Sequence, residues 1–123
     1  MTEATDNSFF RIDLQEDIAR VRVQRDRITD EDNIEQFGQR LIDLVETEGV
    51  QRLLVDAGRL EYVTSSVLGK LIFVHRRLGR DGGQMVLANV QPALMEILEA
   101  TRLTTLFAIS DNVDAGIARL NAT

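Results

Sequence analysis

The chain has 123 residues, 44% of them hydrophobic, with a formal net charge of −6 and no cysteine. That length is one domain, and the apolar fraction is enough for a real core. The lack of cysteine excludes disulfides and thiolate metal sites and fits a reducing cytoplasm, while the acidic balance argues against nucleic-acid binding, which needs a basic face to displace counterions.

Residues 1–7 read as a disordered lead-in, and 8–121 as the folded domain. This polar, acidic start lacks the basic and apolar segments of a signal peptide. No later apolar run approaches the ~20 residues that cross a bilayer, so no membrane partner is expected. From 9 to 14 apolar and polar residues alternate, as in a strand. Ile18, Val21 and Val23 mark a second strand, with Gln15-Glu16-Asp17 as the hairpin turn. Thr29 and Asp30 offer cap chemistry for a helix over 31–48, where Ile34, Phe37, Leu41, Leu44 and Val45 recur at helical spacing. Gly49 suits its C-terminal cap.

The apolar run 52–56 reads as a buried strand that ends on Asp56, followed by a loop over 57–63. A second helix runs from 65 to 80, and Gly82-Gly83 breaks the chain after it. Residues 84–88 form the next strand. Pro92 opens a helix over 92–101 with Leu94, Ile97 and Leu98 inward. A short strand follows at 106–109. Ser110 or Asp111 caps a last helix carrying Val113, Ile117 and Leu120. The order ββαβαβαβα predicts an α/β fold with a mixed, largely parallel sheet and about four helices, mainly on one side, one capping the other.

The most informative stretch is Tyr62-Val63-Thr64-Ser65-Ser66-Val67-Leu68-Gly69-Lys70-Leu71. Its three hydroxyls fall where a helix starts, and unpaired backbone N–H groups there favour negative charge. A serine at such a place is either a helix cap or a phosphate acceptor, and the two roles are compatible. On a helical wheel Val67, Leu68, Leu71, Ile72, Val74 and Leu78 share one broad face. Phe73 points away from it, beside Ser66, Gly69, Lys70, Arg76, Arg77 and Arg80, and an outward aromatic ringed by basic residues is a candidate docking patch.

The segment 53–71 is similar to the signature of STAS domains, the fold of the anti-sigma-factor antagonists. Further matches follow at Leu71-Ile72-Phe73-Val74-His75-Arg76-Arg77-Leu78, Gly82-Gly83, 86–90, 97–99, Leu103, Leu106-Phe107 and 112–115. The resemblance covers about residues 8–120. It implies a single STAS-like domain and places Ser65 on the family's phosphoacceptor, with Ser66 as the fallback. Thr64 stands where the family has an aspartate, and Val67 where it has a glycine. Asp56 matches the strand-end aspartate, which either bonds the 64–66 backbone or holds the loop; Thr64 is the cap. The resemblance places partner contacts on this helix and the loop before it, where the wheel's outward patch offers Ser66, Gly69, Lys70, Phe73, Arg76 and Arg77. It implies a regulatory protein that binds an anti-sigma serine kinase and is released by phosphorylation at Ser65, with a phosphatase for the reverse step. The alternatives are a constitutive STAS interaction module in a signalling assembly, and a nucleotide- or anion-binding STAS domain.

Nothing in the sequence asks for a catalytic role, a cofactor or a metal. His75, the single histidine, lies ten residues past Ser65, roughly 15 Å along a helix, so a Ser–His dyad is excluded. A half-buried structural histidine is the expectation. There is no Walker loop, no dinucleotide fingerprint and no Gly-x-Ser-x-Gly elbow. A phospho-aspartate receiver would need an acidic pair after the first strand and a lysine after a late one, and the late strands end in Asn89 and Ser110.

Overall fold

The computed structural model describes residues 3–6, 9–15 and 17–122; the side chains of 3–6 and Gln15 are not among those described. Among the described residues, eight strands and four α-helices follow in the order β1 (Glu3–Asp6), β2 (Phe10–Gln15), β3 (Ile18–Val23), β4 (Arg27–Ile28), α1 (Glu31–Glu46), β5 (Arg52–Asp56), β6 (Tyr62–Val63), α2 (Ser65–Arg80), β7 (Gln84–Ala88), α3 (Pro92–Ala100), β8 (Ala108–Ser110) and α4 (Val113–Asn121). Six strands make one sheet in the order β1-β2-β3-β5-β7-β8. The pairs β1–β2 and β2–β3 are antiparallel, and β3 to β8 run parallel. The expected order is all there.

Three details differ from the sequence reading. Part of the expected disordered lead-in is strand: Glu3–Asp6 pairs with β2, whose outer edge would otherwise present unpaired N–H and C=O groups. Residues 1, 2, 7 and 8, and Glu16 of the expected hairpin turn, lie outside the described residues. The last strand starts two residues later than expected. Leu106 and Phe107 close a 3-10 turn over Leu103–Thr105 by donating to the Leu103 carbonyl at 3.1 and 2.9 Å, which takes them out of the ladder. Finally, Asn112 caps α4 in place of Ser110 or Asp111, because its side chain accepts from Ala115 N–H at 2.8 Å.

Strand periodicity sorts the core. Ala19, Val21, Val23, Leu53, Val55, Met85 and Leu87 face one side, under α1, α2 and α3. Phe37 of α1 meets Phe9 and Phe10 edge-on there, at 6.1 and 6.0 Å. The other side carries Leu54, Val86 and Ala88, covered by Leu120 of α4. Helix α4 comes close because Gly116 has no side chain: a methyl group there would stand 2.5 Å from Leu54 Cδ1. The Gly116→Val variant therefore loses about 1–3 kcal/mol through overpacking, read as a lower urea midpoint at unchanged slope.

Candidate regulatory and docking site

The site begins at the end of β5. Asp56 is only 6% exposed. A buried carboxylate needs hydrogen-bond donors, and its Oδ1 accepts from Gly58 N–H at 3.0 Å and from Asn89 Nδ2 at 3.2 Å. Asn89 sits just past β7 with φ 58°, a left-handed conformation asparagine tolerates better than most residues. Gln91 Nε2 donates to the Gly58 carbonyl, and Ala57 N–H donates to the Ala88 carbonyl at 2.9 Å. Of the two roles open to Asp56, the structure gives it the second: it holds the loop, and its side chain makes no hydrogen bond to residues 64–66.

That loop leads into α2 through two contacts. Glu61 and Tyr62 N–H both donate to the Asp26 carbonyl, at 2.7 and 3.1 Å. Then β6 pairs parallel with β4, Arg27 opposite Tyr62 and Ile28 opposite Val63. The Arg27 guanidinium lies 5.5 Å from the centre of the half-exposed Tyr62 ring. The sequence shows neither strand: 57–63 reads as loop and 27–28 carries no assignment, since two-residue strands are too short to show a period.

Thr64 is the N-cap of α2, with Oγ1 accepting from Val67 N–H at 3.5 Å. Ser65 and Ser66 are the first two helical residues and both are exposed. With the cap role filled by Thr64, neither serine hydroxyl has a hydrogen-bond partner among the described residues. The two departures from the family signature each have a physical place. Thr64 supplies the cap oxygen, and Val67 is fully buried in the core.

Helix α2 turns Val67, Leu68, Leu71, Val74 and Leu78 inward. Outward lies a shallow groove lined by Gly69, Ile72, Phe73, Arg76, Arg77 and Arg80, continuous at Gly69 and Phe73 with a second hollow that reaches Ser66, Lys70 and Glu35. Phe73 is 48% exposed. The expected ring of cations divides in two. Lys70 Nζ pairs with Glu35 of α1 at 3.2 Å, and its stem lies over Gly38, where a methyl group would come within 2.0 Å of Cδ. Arg77 pairs with Asp81 at 2.6 Å and with Glu46 at 3.9 Å. Arg76 and Arg80 are exposed and have no ion pair among the described residues.

His75 points elsewhere. Its half-buried ring stands edge-on to Phe107 at 5.7 Å, and its Nδ1 is buried without a partner. Burial, with the neighbouring Arg76 charge second, holds its pKa below the usual 6.5. Among the described residues there is no group of three or more His, Cys, Asp or Glu able to hold a metal, and no helix long and apolar enough to cross a membrane.

The STAS-domain family model matches residues 11–116. The chain belongs to the STAS-domain family. Its relatives include BtrV of Bordetella bronchiseptica, named as an anti-sigma factor antagonist, 29% identical over 86 residues that span 70% of this chain and 73% of that one. The STAS fold here superimposes on a Thermotoga maritima protein described as an anti-sigma factor antagonist with TM-score 0.79 at 17% identity, covering 91% and 94% of the two chains. It also matches the Bacillus cell fate determinant SpoIIAA in its phosphorylated form, with TM-score 0.70 at 18% identity over 89% and 97%.

Two outcomes follow. Asp56→Ala leaves the Gly58 and Asn89 donors without their acceptor and costs about 1–3 kcal/mol in denaturant unfolding. For His75, the folded pKa lies below the unfolded value, so the folded state binds fewer protons. Stability is then full above about pH 6.5 and falls as pH drops toward the folded value. Substituting His75→Phe flattens that limb of the stability–pH profile.

Proposed function

We propose that this STAS protein is an anti-sigma-factor antagonist that docks on a partner anti-sigma serine kinase through the outward face of α2. Phosphorylation of Ser65 ends the complex, and Ser66 is the second candidate acceptor. The carrying observation is the division of labour at the start of α2: Thr64 caps the helix, so the exposed Ser65 hydroxyl is free to react. One turn on, Gly69 and Phe73 open the docking face, with Arg76 and the half-buried Arg77 beyond.

The electrostatics fit a switch. A phosphate adds about −1.5 to −2 charges. The free N–H groups of a helix N-terminus tolerate that charge within the protein. A partner seated on the same face loses complementarity instead. The names of the relatives support the reading, one being an anti-sigma factor antagonist and another having a phosphorylated form. A phosphatase would reset the switch, and both steps belong in the cytoplasm. The protein itself works by binding.

A second reading keeps the docking face and drops the phosphate, making the chain a constitutive module of a signalling assembly. Thr64 in place of the family's aspartate favours it, because a recognition carboxylate is missing beside Ser65. Incubation with ATP and an anti-sigma serine kinase encoded beside this protein, followed by mass spectrometry, separates the two. The switch predicts one phosphate on Ser65 and at least ~10-fold weaker kinase binding by Ser65→Asp. No phosphate on Ser65 or Ser66, with unchanged affinity of Ser65→Asp, leaves the constitutive module.

A further inference from the structure

Most glycines in this chain have an internal reason: Gly49 and Gly82 take a positive φ, and Gly58 packs against Asp56. At Gly38, Gly83 and Gly116 a methyl group would clash, at 2.0 Å with Lys70 Cδ, 2.4 Å with the Gln51 carbonyl and 2.5 Å with Leu54 Cδ1. Packing inside the chain leaves no room for a side chain at Gly83 and Gly116, and at Gly38 the Lys70 stem occupies the space one would take. Gly69 is different. It is exposed in the body of α2, and a methyl group on it would meet no atom within 4 Å. Glycine inside a helix weakens it relative to ordinary helix formers, and nothing in this chain gains from its smallness. What it leaves is a notch in the outer face, walled by Ile72 and Phe73 on one side and by Ser66 and Lys70 on the other.

We infer that the Gly69 notch receives an apolar side chain from an acidic amphipathic helix of the partner protein. This rests on the reading of α2 as the docking face, and it names the chemistry that face selects. Phe73, half exposed beside the notch, is the apolar wall. The charge around it chooses the partner's sign. Lys70 and Arg77 are already paired to carboxylates of this chain. Arg76 and Arg80 lie one and two turns beyond Phe73 on the same side of the helix and have no such pair among the described residues. A partner helix with one leucine in the notch and carboxylates one and two turns further along satisfies both guanidiniums, which suit carboxylates well. A second copy of this chain fits less well. The acids along the body of its α1 are engaged at home, Glu35 with Lys70, Glu46 with Arg77 and Asp43 with Gln39, and Leu94 and Leu98, the leucines beside Glu96 and Glu99 of its α3, are buried in the core.

The test uses the full chain and a synthetic helical peptide with an alanine host, one leucine, and glutamates one and two turns beyond it. Amide shifts on titration should cluster at Ser66, Gly69, Phe73, Arg76 and Arg80. Gly69→Leu fills the notch, so it should weaken binding roughly tenfold or more while its thermal midpoint stays at or above that of the unaltered protein. Gly79→Leu is the matched control: a methyl group there also meets nothing within 4 Å, and it lies about 15 Å further along the helix, so binding should persist. The Arg76→Glu/Arg80→Glu protein should lose the peptide. The inference is overturned if Gly69→Leu binds as well as the unaltered chain, or if the same peptide with lysines for glutamates binds equally. It is also overturned if sedimentation equilibrium of the protein alone reveals a dimer that Gly69→Leu abolishes, since the notch then serves a second copy. Lack of a phosphate on Ser65 sinks the switch and leaves this result untouched.

Discussion

Leu53, Leu54 and Val55 sit in the middle of the sheet with helices on both sides, so the centre of β5 can be apolar on both faces and leave none of these side chains in water. Its last residue cannot follow that rule. Asp56 carries a carboxylate to the edge of the core, and the chain answers with donors from the loop after β5 and from the residue after β7. The direction in which the backbone leaves β5 is therefore fixed by a buried polar requirement. Tyr62, Val63 and Thr64 are led past Asp26 to the start of α2, and the two serines emerge at the surface.

The same helix then meets two environments. Inward it is ordinary core, with Val67, Leu71, Val74 and Leu78 packed under the sheet. Outward, two of its four cations, Lys70 and Arg77, are answered by acids of α1 and by Asp81, which ties α2 to its neighbour as much as to any partner. The reactive-looking features of the chain are thus separated. Hydroxyls stand at one end of α2 and, toward the other, two guanidiniums without an ion pair among the described residues, while the histidine turns away toward Phe107.

Much of this was legible in the sequence. Long, strongly periodic segments such as 31–46 and 65–80 announce themselves, because burial of one face imposes the spacing. The exposure of Phe73 and the inward turn of Leu71 follow from the same wheel. What the sequence did not disclose depended on contacts between distant residues. The pairing of β4 with β6 joins segments some 35 residues apart through two residues each. The choice between two bonding roles for Asp56 needed the position of Asn89. Lys70 and Arg77 read as free cations on a wheel, since a wheel of α2 contains no α1. Thr64 as the cap was readable, because its side chain type and place before an apolar run carry the signal. Asn112 was missed by one and two residues, within the usual slack of helix ends.

Lys70 is the one lysine in the sequence. Its stem bridges the gap that Gly38 leaves in α1, and its ammonium ends on Glu35. Any reagent that seeks side-chain amines consequently finds a single address on this molecule, at the seam between two helices and one residue from Gly69. A fluorophore or spin label attached there would report from the rim of the groove, at the expense of the charge that holds Glu35.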